Sequence, residues 1–346
     1  MARVPPSPAT GDFVQLPLFP DLPPPPPPPA RSRRLSPPSA STPLTITATL
    51  TDYAAYLVGA QKAPATVRVF LSDLRQLAAF YPDRPLTAFT TADLALVLGQ
   101  LRQRGAALKT IDRKITTYKN YFAYLTARGL IPHDPAAALL YPSFTEPLPE
   151  ILTDAEVERL LAVAQDDAFW AALIGVFLYA GLKVSEALAL QRHDVVLEPP
   201  RPHLIVRRRR ASRAGRDRVV PLDPRLQPLL ARHLATQPGL WLFAVPVRTL
   251  DWRLKHYARQ AGITRPVSAQ DLRNTFAVAF LRRCLAREAS LTHPADRAAA
   301  RAAHDRALLD LLGLAPPSAE TILPQYRRLA EAAGPLTADQ GLGPGG

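Results

Sequence analysis

Fifteen of the 38 prolines fall within the first 44 residues, seven of them in the unbroken run 23–29. Proline fixes φ and has no N–H to give, so such a stretch takes polyproline II or coil and cannot bury a core. Residues 1–44 are therefore expected to be a disordered tail, and any fold has to be built from residue 45 onward. At the other end, the Gly/Pro-rich residues 331–346 are expected to be a second flexible tail. The chain between them suits about two domains. The stretch 141–150 carries three prolines, so residues 143–150 read as a linker separating 45–142 from 151–330.

The formal net charge is +13, and most of the basic residues are arginine. That balance points to an acidic partner, most simply nucleic acid, and arginine's planar fork suits phosphate better than lysine's point charge. Cys284 is the only cysteine, which excludes an internal disulfide and a cysteine-based zinc site. No apolar run approaches the ~18 residues that span a bilayer, and the first residues lack the apolar core of a secretion signal. A cytoplasmic protein with no membrane partner is expected.

Residues 45–142 read as all-helical. Val67, Phe70, Leu71, Leu74 and Leu77 recur at helical spacing, and Thr90 to Asp93 opens a helix that Gly105 ends. The longest helix is predicted over 107–128, with Leu108, Ile111, Ile115, Tyr118, Phe122 and Leu125 as its apolar stripe. Its remaining surface carries Lys109, Arg113, Lys114 and Lys119, a solvated face or a row for a phosphate backbone.

Residues 151–330 are mainly helical with one interruption. Thr153 and Glu156 form a capping box, and 169–179 is apolar enough to be buried. The runs 203–207 and 218–222 alternate like strands and predict a hairpin. Around that hairpin stand Arg201, Arg207, Arg208, Arg209, Arg210, Arg213, Arg216 and Arg218, against Asp217 alone, and the flanking strands favour a DNA-facing hairpin over a disordered basic loop. A further helix opens at Ser268, with Asp271 in its first turn; Leu272, Phe276 and Ala279 form its buried stripe, and Arg273 beside them is expected to be held against the protein body.

Three stretches in this half carry a resemblance. Residues 180–190, Ala-Gly-Leu-Lys-Val-Ser-Glu-Ala-Leu-Ala-Leu, are similar to the Thr-Gly-Leu-Arg-x-Ser-Glu-Leu box of tyrosine recombinases, the family of phage integrases and Xer-type resolvases. Residues 268–277, Ser-Ala-Gln-Asp-Leu-Arg-Asn-Thr-Phe-Ala, resemble its His-x-Leu-Arg-His-Thr-Phe-Ala box. Residues 311–326 resemble its closing Leu-Gly-His…Tyr element. The resemblance implies a mainly α fold in two domains that clamp a duplex. The first is a helical, SAM-like core-binding domain; the second is a mostly helical integrase catalytic domain with a small β-hairpin sheet. It implies double-stranded DNA as partner, copies of one chain assembling on that DNA, and neither metal nor cofactor.

It also implies roles for single residues. Tyr326 occupies the nucleophile's place and Arg273 that of a phosphate-gripping arginine. Lys183 replaces the other arginine, Arg213 stands where a lysine serves the leaving oxygen, and Gln270 and Leu314 replace two histidines. The gap from Gly313 to Tyr326 is about three residues longer than usual, and an Ala/Arg-rich insert precedes it. The chemistry would be attack of the tyrosine on a DNA phosphodiester to give a 3′-phosphotyrosine, with fixed cations stabilising the charged transition state. The alternative is a member that binds DNA without cutting it. From Gln15 to Phe19 the tail reads Gln-Leu-Pro-Leu-Phe and resembles the peptide that binds bacterial sliding clamps.

Overall fold

In the computed structural model, which describes residues 44–143, 147–207, 217–314 and 316–336, the chain divides into two units, Met1–Thr145 and Glu146–Gly346. Residues 15–19, Arg208, Arg209, Arg210, Arg213 and Arg216 lie outside the described residues.

The described part of the first unit is helical: α1 Ile46–Gly59, α2 Pro64–Phe80, α3 Thr91–Gln103 and α4 Leu108–Ala127, with one 3-10 turn at Leu86–Ala88. Helix α1 starts at Ile46, where Thr45 caps it by accepting the Ala48 N–H. At α3, Asp93 Oδ2 accepts the Thr90 N–H at 2.9 Å and Thr90 Oγ1 accepts that of Asp93, a cap contributing about 1 kcal/mol. Tyr53, Leu57, Phe70, Leu74, Tyr118, Tyr121, Phe122 and Leu125 close the core between α1, α2 and α4. Burying each leucine and phenylalanine among them stabilises by roughly 1.5–3 kcal/mol.

One carboxylate sits at the edge of that core. Asp73 on α2 is 1% exposed. It accepts from Lys114 Nζ at 2.9 Å and Thr117 Oγ1 at 3.1 Å, and it pairs with Arg113. Lys114 also donates to Gln76 Oε1 at 2.8 Å. The row expected to face outward on α4 is therefore corrected. Lys114 is buried and Arg113 turns inward with it, because an ionised carboxylate out of water requires opposite charge and donors around it. Lys119 packs its ammonium 5.0 Å from the Tyr141 ring centroid, and Lys109 is exposed.

The second unit begins with α5 Asp154–Ala164 and α6 Ala168–Gly175, which runs into a π-helical turn, Val176–Ala180. A short helix, α7 Val184–Ala187, precedes a three-stranded antiparallel sheet ordered β1 Val195–Val196, β2 His203–Val206, β3 Arg218–Pro221. The expected hairpin is present, with His203 opposite Pro221 and Val206 opposite Arg218; β1, which was not expected, adds a third strand with Val195 opposite Leu204. Helices α8 Leu226–Thr236 and α9 Val247–Gln260 come next, then α10 Ala269–Ser290, α11 Pro294–Leu312 and α12 Pro316–Ala333.

Helix α10 organises this unit: it packs on α11, on α12 and on the π-helical turn. Phe276, Ala277, Leu281, Leu308, Leu312, Tyr326 and Ala330 close a core between these three helices. Helix α12 runs three residues beyond the expected domain end at 330, and buried Leu336 lies just past it, so the predicted flexible tail from 331 starts too early. Among the described residues, no helix is long and apolar enough to cross a membrane.

Candidate active site

Gly181 ends the π-helical turn with φ +62°, and a Cβ there would run into the Phe276 ring, so this position needs glycine for both backbone and space. The chain then turns into α7, whose N-cap is Lys183. Glu186 completes that cap by accepting the Lys183 N–H at 2.8 Å. Its two oxygens also receive Arg218 Nη1 at 2.9 Å and Nη2 at 2.8 Å. Burial works against the Glu186 charge, but the Arg218 fork and the Lys183 N–H outweigh it and hold the carboxyl below its ordinary range. Arg218 donates in addition to the Leu311 carbonyl at 3.0 Å. The expectation that Arg218 presents itself to DNA is corrected here: its guanidinium ties β3 to α7 and α11.

Arg273 emerges from the first turns of α10, which Ser268 and Asp271 cap reciprocally. It is 3% exposed and is held by two backbone carbonyls, Gly181 O and Leu312 O, the latter at 2.6 Å from Nη2. The nearest carboxylate oxygen, on Glu186, stands 4.0 Å away and is shared with Arg218. Burial without a dedicated counter-ion pulls the Arg273 pKa down to about 10, with Glu186 and Tyr326 opposing. The group remains a cation at neutral pH.

Gln270 lies one turn before Asn274 and donates Nε2 to its Oδ1 at 2.8 Å. The Tyr326 hydroxyl donates to the same Oδ1, also at 2.8 Å, and Asn274 Nδ2 donates to the Glu150 carbonyl at 3.2 Å. Burial raises the Tyr326 pKa and Arg273 opposes the rise, so the phenol keeps its proton at neutral pH. Lys183 Nζ donates to the Gly313 carbonyl at 3.0 Å, and Leu314 packs with the α10–α12 core. A cleft of about 560 Å³ opens beside these groups, lined by Lys183, Ser185, Val247, Gln270 and Arg273 among others.

The fold thus brings Lys183, Gln270, Arg273 and Tyr326 onto one site, although α11 intervenes between the last two in sequence. The site can offer a phosphate one fixed guanidinium and one ammonium, with a phenol beside them. It offers no imidazole at 270 or 314. Sequence reasoning missed two members. Asn274, which takes the phenol's hydrogen bond, was signalled by its i, i+4 spacing from Gln270. Glu186 was matched within its box but given no role. Of the basic rows, Arg207 is half-exposed and donates Nε to Asp194 Oδ1 at 2.6 Å.

Residues 50–129 match the phage integrase N-terminal SAM-like domain, and residues 150–286 match the phage integrase family. A tyrosine recombinase XerA of Pyrococcus furiosus is 30% identical over 248 residues, covering 68% of this chain and 80% of that protein. A tyrosine recombinase of Thermosipho africanus is 24% identical over 246 residues, covering 67% of this chain and 84% of its own length. Among solved structures, a lambda integrase tetramer bound to a Holliday junction superposes with a TM-score of 0.63 at 17% identity, covering 83% of this chain and 78% of that one. XerH bound to palindromic difH superposes with a TM-score of 0.58 at 18% identity, covering 84% of each. Two family models that together match more than half of the chain, and a relative 30% identical over two thirds of it, show that the chain belongs to the tyrosine recombinase family.

Proposed function

We propose that this protein binds duplex DNA and acts in site-specific recombination, with Tyr326 as the nucleophile of an attenuated cleavage site. The observation that carries this reading is Arg273, a buried cation held by carbonyl oxygens beside the cleft and next to the Tyr326 phenol. A carboxylate partner would neutralise such a group for good; carbonyls orient it and leave its charge for a scissile phosphate. Its relatives among solved structures, lambda integrase and XerH, are complexes with DNA. Copies of the chain assemble on the duplex, and the work is done in the cytoplasm.

Attenuation is the consequence of the substitutions. Lys183 cannot grip two oxygens as an arginine fork does. Neither Gln270 nor Leu314 can move a proton, and Asn274, which accepts from Tyr326, is no base. Each missing preorganised donor costs about 10²–10³ in rate, and such losses do not add simply. DNA binding rests on many cations and is far less affected.

The test is a nicked duplex chosen from sites that the protein protects in a footprint. Adducts that survive denaturant are then counted over time. The natural protein should bind tightly and form adduct slowly, and Tyr326→Phe should form none. The combined variant Lys183→Arg, Gln270→His, Leu314→His should form it at least about 10² faster. An adduct persisting in Tyr326→Phe would place the nucleophile elsewhere. No adduct in either the natural or the restored protein would leave a binding protein only. Residues 15–19 give the same protein a docking peptide for a sliding clamp; a peptide with Leu18→Ala and Phe19→Ala should lose clamp binding that the natural peptide has.

A further inference from the structure

Tyr326 and Arg327 are neighbours on α12, and both are 3% exposed. Adjacent helical side chains leave the axis about 100° apart, so the two reach different targets. Tyr326 meets Asn274 near the start of α10, whereas Arg327 meets Glu288 near its end. Fourteen residues of helix separate those targets, about 21 Å along the α10 axis.

The Arg327 end is built with unusual completeness. Nη1 donates to both oxygens of Glu288 at 3.0 Å. Nε donates to Asp305 Oδ1 at 2.8 Å, and Nη2 to the Arg301 carbonyl at 3.2 Å. His304 Nδ1 donates to Glu288 at 2.8 Å. Glu288 belongs to α10; Arg301, His304 and Asp305 belong to α11. One guanidinium therefore cross-links three helices. Helix α11 lies beyond residue 286, where the match to the phage integrase family ends.

Apolar contacts already hold α12 against α10, but the hydrophobic effect is non-directional and leaves a helix free to rotate or slide by small amounts. Charge-assisted hydrogen bonds from one rigid guanidinium to carboxylates on two helices are directional. We propose that Arg327 is a positioning residue for Tyr326: through Glu288 and Asp305 it sets the rotation and height of α12 on α10, and so where the phenol oxygen stands. The Ala/Arg-rich insert, by contributing Asp305, becomes part of the device that aims the nucleophile. The functional meaning rests on the reading of Tyr326 as nucleophile; the geometric claim does not.

The experiment uses the full chain with 3-fluorotyrosine at position 326 or, as a control in the same unit, at position 257 on α9, read by fluorine NMR. Arg327→Met removes the fork and the charge, and Arg327→Lys keeps the charge alone. The parent should give one sharp resonance at each position. In Arg327→Met the 326 resonance should shift or split while that of 257 stays, with Arg327→Lys between. Adduct formation on the nicked duplex should fall at least about tenfold in Arg327→Met, with duplex affinity within about twofold. If Arg327→Met does not fold, Asp305→Asn removes one arm of the brace and should move the 326 resonance in the same direction.

A folded variant in which neither resonance moves overturns the proposal. So does one in which both move together, which is general loosening of the unit. Failure of the parent to form adduct would instead strike at the nucleophile reading, and the fluorine result would still decide the geometry.

Discussion

Lys114 and Arg273 are both cations with 3% of their surface exposed, one in each unit, and their partners differ. Lys114 meets a carboxylate, Asp73, which Arg113 and Thr117 also contact. Arg273 meets two peptide carbonyls, with its nearest carboxylate 4.0 Å away and committed to Arg218. The first arrangement neutralises charge and holds α2 to α4. The second orients charge without neutralising it, beside a cleft. A buried cation is thus a structural or a functional group according to what accepts its protons, and sequence position alone does not decide between them.

The sharpest way to break that comparison is to replace Arg273. Arg273→Met, made in the variant with Lys183→Arg, Gln270→His and Leu314→His, should slow adduct formation by about 10²–10³. Its effect on stability should be within ~1 kcal/mol, because losing an uncompensated buried charge offsets two carbonyls left without a donor. A large drop in stability with unchanged adduct rate would make Arg273 a strut like Lys114.

Lys114→Met should do the reverse. Removing one partner of a buried ion pair costs about 3–5 kcal/mol, and the remaining Arg113 puts this case near the lower end. All three tryptophans lie in the second unit, so their fluorescence reports that unit alone. Urea unfolding tracked by circular dichroism should therefore show an early loss of helix in Lys114→Met, with the tryptophan transition unmoved. A variant as stable as the parent would mean that Asp73 does not depend on Lys114.

These two residues also mark what could be read from the chain. The boxes around Lys183 and Arg273 were legible because their determinants are local. A capping serine with an acid three residues on, a glycine required at Gly181 and a helical apolar stripe all fall within one or two turns. The partners were not legible, because Asp73 lies 41 residues from Lys114, and Arg218 lies 32 from Glu186. Only the fold says that one basic run is half internal. The insert reads as an Ala-rich stretch with a short helix at its end, yet Pro294 at the first helical position signals the start of the single helix α11. Tyr326 was reachable by order of boxes, and the i, i+4 spacing ties Asn274 to Gln270, but the bond from the phenol to Asn274 joins residues 52 apart and only the fold shows it.

A gentler test asks which cations meet phosphate. Arg207 has its side chain half in water although Nε bonds Asp194, and Lys109 is exposed. Arg207→Ala and Lys109→Ala should each reduce the slope of log affinity against log salt by about 1. Lys114→Met should leave that slope unchanged wherever the first unit stays folded, since its ammonium is already bound to Asp73. Equal slope changes in all three would show that charge count, rather than placement, governs binding.

The smallest effect concerns Glu186, which serves the Arg273 corner without touching the phenol. Its carboxyl stays below the ordinary range in the folded protein, because the Arg218 fork and the Lys183 N–H outweigh the burial that opposes its charge. A group whose pKa is depressed by folding contributes stability that is fully present above its unfolded pKa and is lost as pH falls through the folded one. Glu186→Gln keeps the shape and removes the charge. It should therefore lower the melting temperature at pH 7, and the gap to the parent should narrow as the pH is taken down through the carboxylate range. Arg273 would then lose its nearest negative charge, so its pKa should fall further below the value of about 10 that it has beside Glu186. A gap that stays constant with pH would mean that Glu186 acts through shape alone, and that Arg218 is held by the Leu311 carbonyl rather than by the pair.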